Sequence, residues 1–172
     1  MLDQQVIHKI NNNNYSFFDK GDSQQVFRID GEKLLLKKST DPGMDVLWAD
    51  TFINKSEEYD AFIPVYYKDG NDYITAMADP LSTDELYNVE YFCKLYLEYL
   101  RENMDKWNVF DFVNDGAKDA PADIVKFVKR LEPQVKKLYD IHHVEYTHEY
   151  MEIDFRPRNV MKYNGNFVMI DW

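Results

Sequence analysis

The densest chemistry in the chain lies near its C-terminal end. There Glu152-Ile-Asp-Phe-Arg-Pro-Arg-Asn-Val-Met161 is followed, past an Asn164-Gly165 dipeptide, by Val168-Met-Ile-Asp-Trp172. Asp154, Asn159 and Asp171 offer hard oxygen donors of the kind magnesium takes. A carboxylate such as Asp154 can orient a hydroxyl, and Arg156 can neutralise an anion. Asn-Gly favours the positive φ of a tight hairpin, and a hairpin closed there returns Asp171 to the side of Asn159. Asp and Asn are also ordinary turn formers, so an inert loop and hairpin would read the same way.

This segment resembles the catalytic loop and metal-binding segment of the protein kinase-like superfamily, aminoglycoside-type phosphotransferases included. The family pattern is D-x-[KR]-P-x-N, a short hairpin, then an apolar strand ending in Asp. Asp154, Arg156, Pro157 and Asn159 fill the first part and Asp171 the last. The resemblance implies ATP and Mg2+ as cofactors, Asp154 as the residue orienting the acceptor hydroxyl, Arg156 on the transferred phosphoryl, and Asn159 and Asp171 on the metal.

It extends over most of the chain. Gly21-Asp-Ser-Gln-Gln-Val-Phe27 is similar to a reduced nucleotide-covering loop, with Gly21 and Ser23 near phosphates. Leu34-Leu-Leu-Lys37 resembles the strand that carries the phosphate-anchoring lysine, which implies Lys37, with Lys38 as its neighbour and alternative. In Glu58-Tyr-Asp-Ala-Phe62 the acid and its apolar followers match the helix that pairs with that lysine; Glu58 is the expected partner, with Glu57 beside it. Tyr73 to Leu81 resembles the fifth strand running into a hinge, with Met77 at the gatekeeper position and the backbone of Ala78 and Asp79 facing adenine.

Where the sequence departs from the family, other functions open. Glu152 stands where most protein kinases have His or Tyr, Ile153 where regulated ones have Arg, and Trp172 in place of the Phe of D-F-G. The stretch from Pro80 to Ile153 is longer than usual, and the activation segment and distal helices are missing. Such a truncation is similar to kinase-like proteins of bacteriophages and secreted bacterial effectors, which implies a host protein as substrate or target. Two rivals follow: a non-catalytic kinase-like module that binds and modulates a host protein, and an acidic mimic of nucleic acid.

These residues need strands and helices to hold them. Asp30-Gly31, Asp69-Gly70 and Asn164-Gly165 each lie between apolar runs and predict three β-hairpins. A helix is expected over roughly Asp45 to Phe62, with Val46, Ala49, Phe52 and Ile53 on one face, after a strand stopped by Pro42 and Gly43. Ser82-Thr-Asp-Glu85 fits a capping box, and Leu86, Val89, Phe92, Cys93, Tyr96, Leu100 and Met104 follow at helical spacing. A second helix is expected from Pro121, with Ile124, Phe127, Val128, Leu131, Val135, Leu138 and Ile141 as its stripe, kinked or split at Pro133. Asn11 to Asn14 reads as a polar loop. The class is α+β: a two-lobed kinase-like fold with a strand-rich lobe over 1–79 and a reduced helical lobe over 80–172.

Composition sets the bounds. The chain has 172 residues, 45% hydrophobic and 16% aromatic, which suffices for a core. Its net charge of −11 disfavours broad contact with nucleic-acid backbone or an acidic membrane. The single cysteine, Cys93, excludes an intrachain disulfide framework and reads as core. No leader or membrane-length apolar run is read, so a cytoplasmic protein is expected. His142, His143, Glu145, His148 and Glu149 lack the spacing of a helical metal motif. No G-x-S-x-G elbow is present, and the tyrosines of the 87–99 stretch read as helix packing.

Overall fold

A computed structural model describes residues 2–21, 24–40, 44–103, 108–143 and 153–171. The chain divides into two compact units, Met1–Met77 and Ala78–Trp172. Both strands and helices are present, so the α+β class holds.

The first unit is built on a five-stranded antiparallel sheet. Helix α1 (Gln4–Asn11) precedes β1 (Tyr15–Lys20), β2 (Gln24–Ile29) and β3 (Leu34–Ser39); α2 (Met44–Phe52) then leads to β4 (Val65–Asp69) and β5 (Asp72–Ala76). The spatial order is β1-β2-β3-β5-β4. Alternation along the strands gives the sheet two distinct faces. On one, Val6 of α1 packs with Ile29, Leu36 and Ile74; Lys37 and Tyr73, one residue along, belong to the other.

The turn dipeptides behave as their chemistry requires. Asp69 pairs with Asp72, and Gly70 takes φ +58° at the first central position of that tight turn. Asn164 and Gly165 take φ +49° and +81°, the doubly positive pattern of a two-residue hairpin loop.

The helix expected over Asp45 to Phe62 is corrected: α2 ends at Phe52. Asn54 turns into the left-handed region at φ +57°, and its N–H donates to Val65 O at 3.3 Å. Tyr59 and Phe62 fold back onto the helix instead of extending it. Their ring centroids lie 5.1 and 4.7 Å from that of Phe52. Pro42 and Gly43 lie outside the described residues, as does Met104.

The second unit holds α3 (Thr83–Glu102), α4 (Val109–Asn114), α5 (Ala122–His142), a 3-10 turn (Pro157–Asn159) and the hairpin β6 (Val160–Tyr163) with β7 (Asn166–Met169). Ser82 and Glu85 close the expected capping box on α3. Helix α5 runs through Pro133 without a split; Leu131 and Val135, on either side, are both fully buried. Leu86 and Ile141, expected in apolar stripes, are exposed. Helices α1 and α4 were not expected. The first covers Asn11, assigned above to a loop, and the second is capped by the Asn108 side chain accepting from the Asp111 N–H at 2.8 Å.

A chain of rings ties this unit together. Phe92 of α3 lies 5.3 Å from Phe112 of α4 and 5.3 Å from Phe155; Phe127 of α5 lies 6.1 Å from Phe155 and 6.0 Å from Phe167 of β7. No helix among the described residues is long and apolar enough to cross a membrane.

Phe92→Ala should therefore lower stability by about 3–5 kcal/mol, since it empties a site touched by two rings. Tyr87→Ala on the same helix, where the side chain is exposed, should stay within about 0.5 kcal/mol. Denaturant unfolding of the two variants checks the contrast.

Candidate functional site

Residues 153–159 alternate between anchors and chemistry. Ile153 and Phe155 are buried, whereas the side chains of Asp154 and Arg156 are 36% and 62% exposed. The loop is thus pinned by its apolar residues and shows its polar ones. Arg156 N–H donates to Asp154 O at 2.9 Å, and Asn159 N–H to Arg156 O at 2.9 Å, closing the 3-10 turn.

Asn159 is the buried polar residue of the loop. Its Nδ2 donates to Asp154 O and to Asp154 Oδ2, each at 2.9 Å. Two acceptors on that side fix the amide orientation. Oδ1 therefore points the other way, as an acceptor with hard-oxygen character. The Asp154 carboxylate is held on both oxygens: Arg156 Nε pairs with Oδ1, and Asn159 with Oδ2. Arg158 Nη2 stands 3.7 Å from Oδ2. Sequence reasoning passed over Arg158; its four-residue spacing from Asp154 was the available signal.

The hairpin brings the loop's end back to its start. Val160 pairs with Met169, and beyond that pair Ile170 N–H donates to Asn159 O at 2.9 Å. The backbone of Asp171 therefore follows directly on a residue bonded to Asn159.

Asp79, expected beside adenine, forms a backbone bridge to β6. Its N–H donates to Lys162 O at 2.8 Å and its C=O accepts from Lys162 N–H at 3.0 Å, so both main-chain groups are committed to β6. Ala78 is buried beside it. Lys162 does more: its Nζ lies 2.7 Å from Glu85 Oε1 and 3.2 Å from Gly165 O, and 4.5 Å from the Phe167 ring centre. Glu85 Oε2 accepts from the Ser82 N–H at 3.0 Å. The hydrogen bond from Lys162, and then that from the Ser82 N–H, pull the Glu85 carboxyl down to about 2.

In the first unit, Lys37 sits on β3 between Val26 of β2 and Tyr73 of β5. It is buried, with Nζ 5.7 Å from the Tyr73 ring centre. Tyr73 OH donates to Gln24 Oε1 at 3.1 Å, which adds a buried amide to that face. Met77 is half-buried, its N–H donating to Lys33 O at 2.9 Å. Glu57 and Glu58 are exposed and lie in the turns after α2, not on a helix.

Gly21 closes the β1–β2 loop, its N–H donating to Gln24 O at 2.9 Å. A Cβ there would meet only that oxygen, at 3.9 Å, so the backbone does not demand glycine. Ser23 lies outside the described residues, as do Glu145, His148, Glu149, Glu152 and Trp172. His143 caps α5 in the left-handed region at φ +52°. Cys93 is half-buried with its Sγ 3.8 Å from Phe155 O, and burial pushes its thiol up to about 11. No family model, curated protein or solved structure matches the chain.

Glu85→Gln keeps the capping box, which accepts Gln, and removes only the charge that meets Lys162. It should cost about 0.2–1 kcal/mol at neutral pH. Because the folded carboxyl titrates at about 2 and the unfolded one near its ordinary 4.5, the difference is full above the higher value. It shrinks as pH falls toward the lower one. Urea unfolding of both proteins across that range measures it.

Proposed function

We propose that the chain is a minimal kinase-like phosphotransferase that uses Mg2+ and ATP to phosphorylate a hydroxyl on a host protein. The observation that supports this best is the Asn159 amide. One side chain ties the Asp154 main chain to its carboxylate and turns Oδ1 outward, while Asn159 O accepts from the residue before Asp171. A carboxylate to take the acceptor hydroxyl's proton and two hard-oxygen ligands for magnesium thus belong to one short loop and hairpin.

In this reading Asp154 accepts the hydroxyl proton as the oxygen attacks the γ-phosphorus and ADP leaves. Arg156, which holds Oδ1 at rest, would move onto the phosphoryl and free that oxygen for substrate. Lys37, buried on its strand, would anchor the α- and β-phosphates, with Glu58 or Glu57 holding it. Ala78 would supply the backbone contact to adenine. Asn159 and Asp171 would hold magnesium, which would supply positive charge against the phosphates.

A second reading has its own observation. Both Asp154 oxygens are already engaged, which suits a kinase-like module that binds a host protein without catalysis. Phosphate incorporation into host lysate by the unmodified protein, lost in both Asp154→Ala and Asp171→Ala, is the expected result. Mg-ATP should also raise the melting temperature, by the equivalent of about 2.7 kcal/mol at a hundredfold excess over Kd. Stabilisation without incorporation would favour the binding module, and neither effect at millimolar ATP would defeat the nucleotide reading.

A further inference from the structure

A cavity of about 160 Å³ opens on the sheet face that α1 covers. It lies wholly within the first unit, on the side of β3 away from Lys37. Two neighbouring cross-strand rows form its floor. The first is apolar: Tyr67, Ile74 and Leu36 stand opposite one another across β4, β5 and β3. The second is charged: Asp69, Asp72 and Lys38 repeat the same alignment two pairs along, on the same face. Ile7 and Ile10 of α1 close the top, and Asn11 and Asn13 flank the helix end.

The charges in this cavity do not balance. Lys38 is drawn to the far side, where its Nζ donates to Tyr15 OH at 2.9 Å and lies 4.8 and 5.6 Å from the Tyr15 and Phe27 ring centres. Asp69 and Asp72 are left directly opposite each other, an arrangement that destabilises a strand pair. Neither side chain makes a hydrogen bond or a close ion pair among the described residues. Burial, partly offset by Lys38 and reinforced by Asp69, raises the Asp72 carboxyl. Tyr67 is 37% exposed, so its ring is open to a cation. The C-terminal end of α1 adds a partial negative charge nearby.

We infer that this cavity binds a small organic monocation, a primary amine with a compact apolar body. The ammonium would lie between Asp69, Asp72 and the Tyr67 ring, and the hydrocarbon over Leu36 and Ile74 beneath Ile7 and Ile10. The volume suits a six-membered ring, since a cavity of about 150 Å³ accepts benzene. The row carries two carboxylates, exposed Asp69 and half-buried Asp72, against one ammonium, which favours a cationic over an anionic ligand. The inference does not depend on the phosphotransferase reading.

Cyclohexylamine is the probe, with cyclohexanol as its neutral counterpart, titrated into the full chain and followed by backbone amide chemical shifts. The expected result is saturable shifts centred on Asn11, Asp72 and Ile74 with a millimolar Kd, and cyclohexanol weaker by about tenfold or more. Asp72→Asn and, independently, Asp69→Asn should each weaken the amine by a similar factor while leaving cyclohexanol unchanged. Should either variant fail to fold, the other gives the same answer. Absence of saturable shifts at those amides, equal binding of the alcohol, or indifference to both substitutions would overturn the assignment.

Discussion

A buried side-chain amide must be satisfied or it costs the unit that buries it about 1–3 kcal/mol. Asn159 meets that demand by donating twice to Asp154, once to the main chain and once to the carboxylate. The constraint runs outward from there. It fixes the loop from residue 154 to 159 and sets where β6 begins. Because Asn159 O also accepts from Ile170 N–H, it sets where β7 ends. Phe155, caught between Phe92 and Phe127, carries the same loop into the aromatic core. The polar site and the packing therefore hold one another in place.

Lys162 gives a second point of convergence within the same unit. Its main chain takes both hydrogen bonds of Asp79, and its ammonium reaches Glu85. The segment that enters the unit, the start of α3 and the hairpin are thus joined through a single residue. An isolated surface ion pair contributes little. Here the pair adds to a backbone bridge and a capping box that already fix its two partners, so less side-chain freedom is lost in making it.

The hairpins were legible because Asp-Gly and Asn-Gly act locally: φ values of +58° at Gly70 and of +49° and +81° at Asn164 and Gly165 are a property of the turn itself. The capping box at Ser82 and the stripe of α5 were legible for the same reason. The end of α2 was not. Tyr59 and Phe62 carry a helical period, yet they are buried by folding back onto Phe52, a tertiary choice that leaves the same pattern in the sequence. In and just before α1 the apolar residues Leu2, Val6 and Ile10 do recur at four-residue spacing, but the helix is only eight residues long, and the neighbouring Asn run points to a loop. The bridge from Asp79 is also tertiary, because Lys162 lies more than eighty positions along. Within the candidate site, residue types and spacing showed which groups share the loop. They did not show that Arg156 and Asn159 occupy both oxygens of Asp154.

The charge of −11 bears directly on the phosphate reading. A nucleotide triphosphate approaching so acidic a chain meets net repulsion, although salt screens exposed charges beyond about 8 Å at physiological ionic strength. What matters within the second unit is then the near field: Arg156 and Arg158 both stand beside Asp154. Those arginines more than balance the one carboxylate they flank. On the phosphotransferase reading, Asn159 and Asp171 would hold magnesium, which would supply two further positive charges. An acidic chain can bind a polyanion on these terms, provided the metal arrives with it.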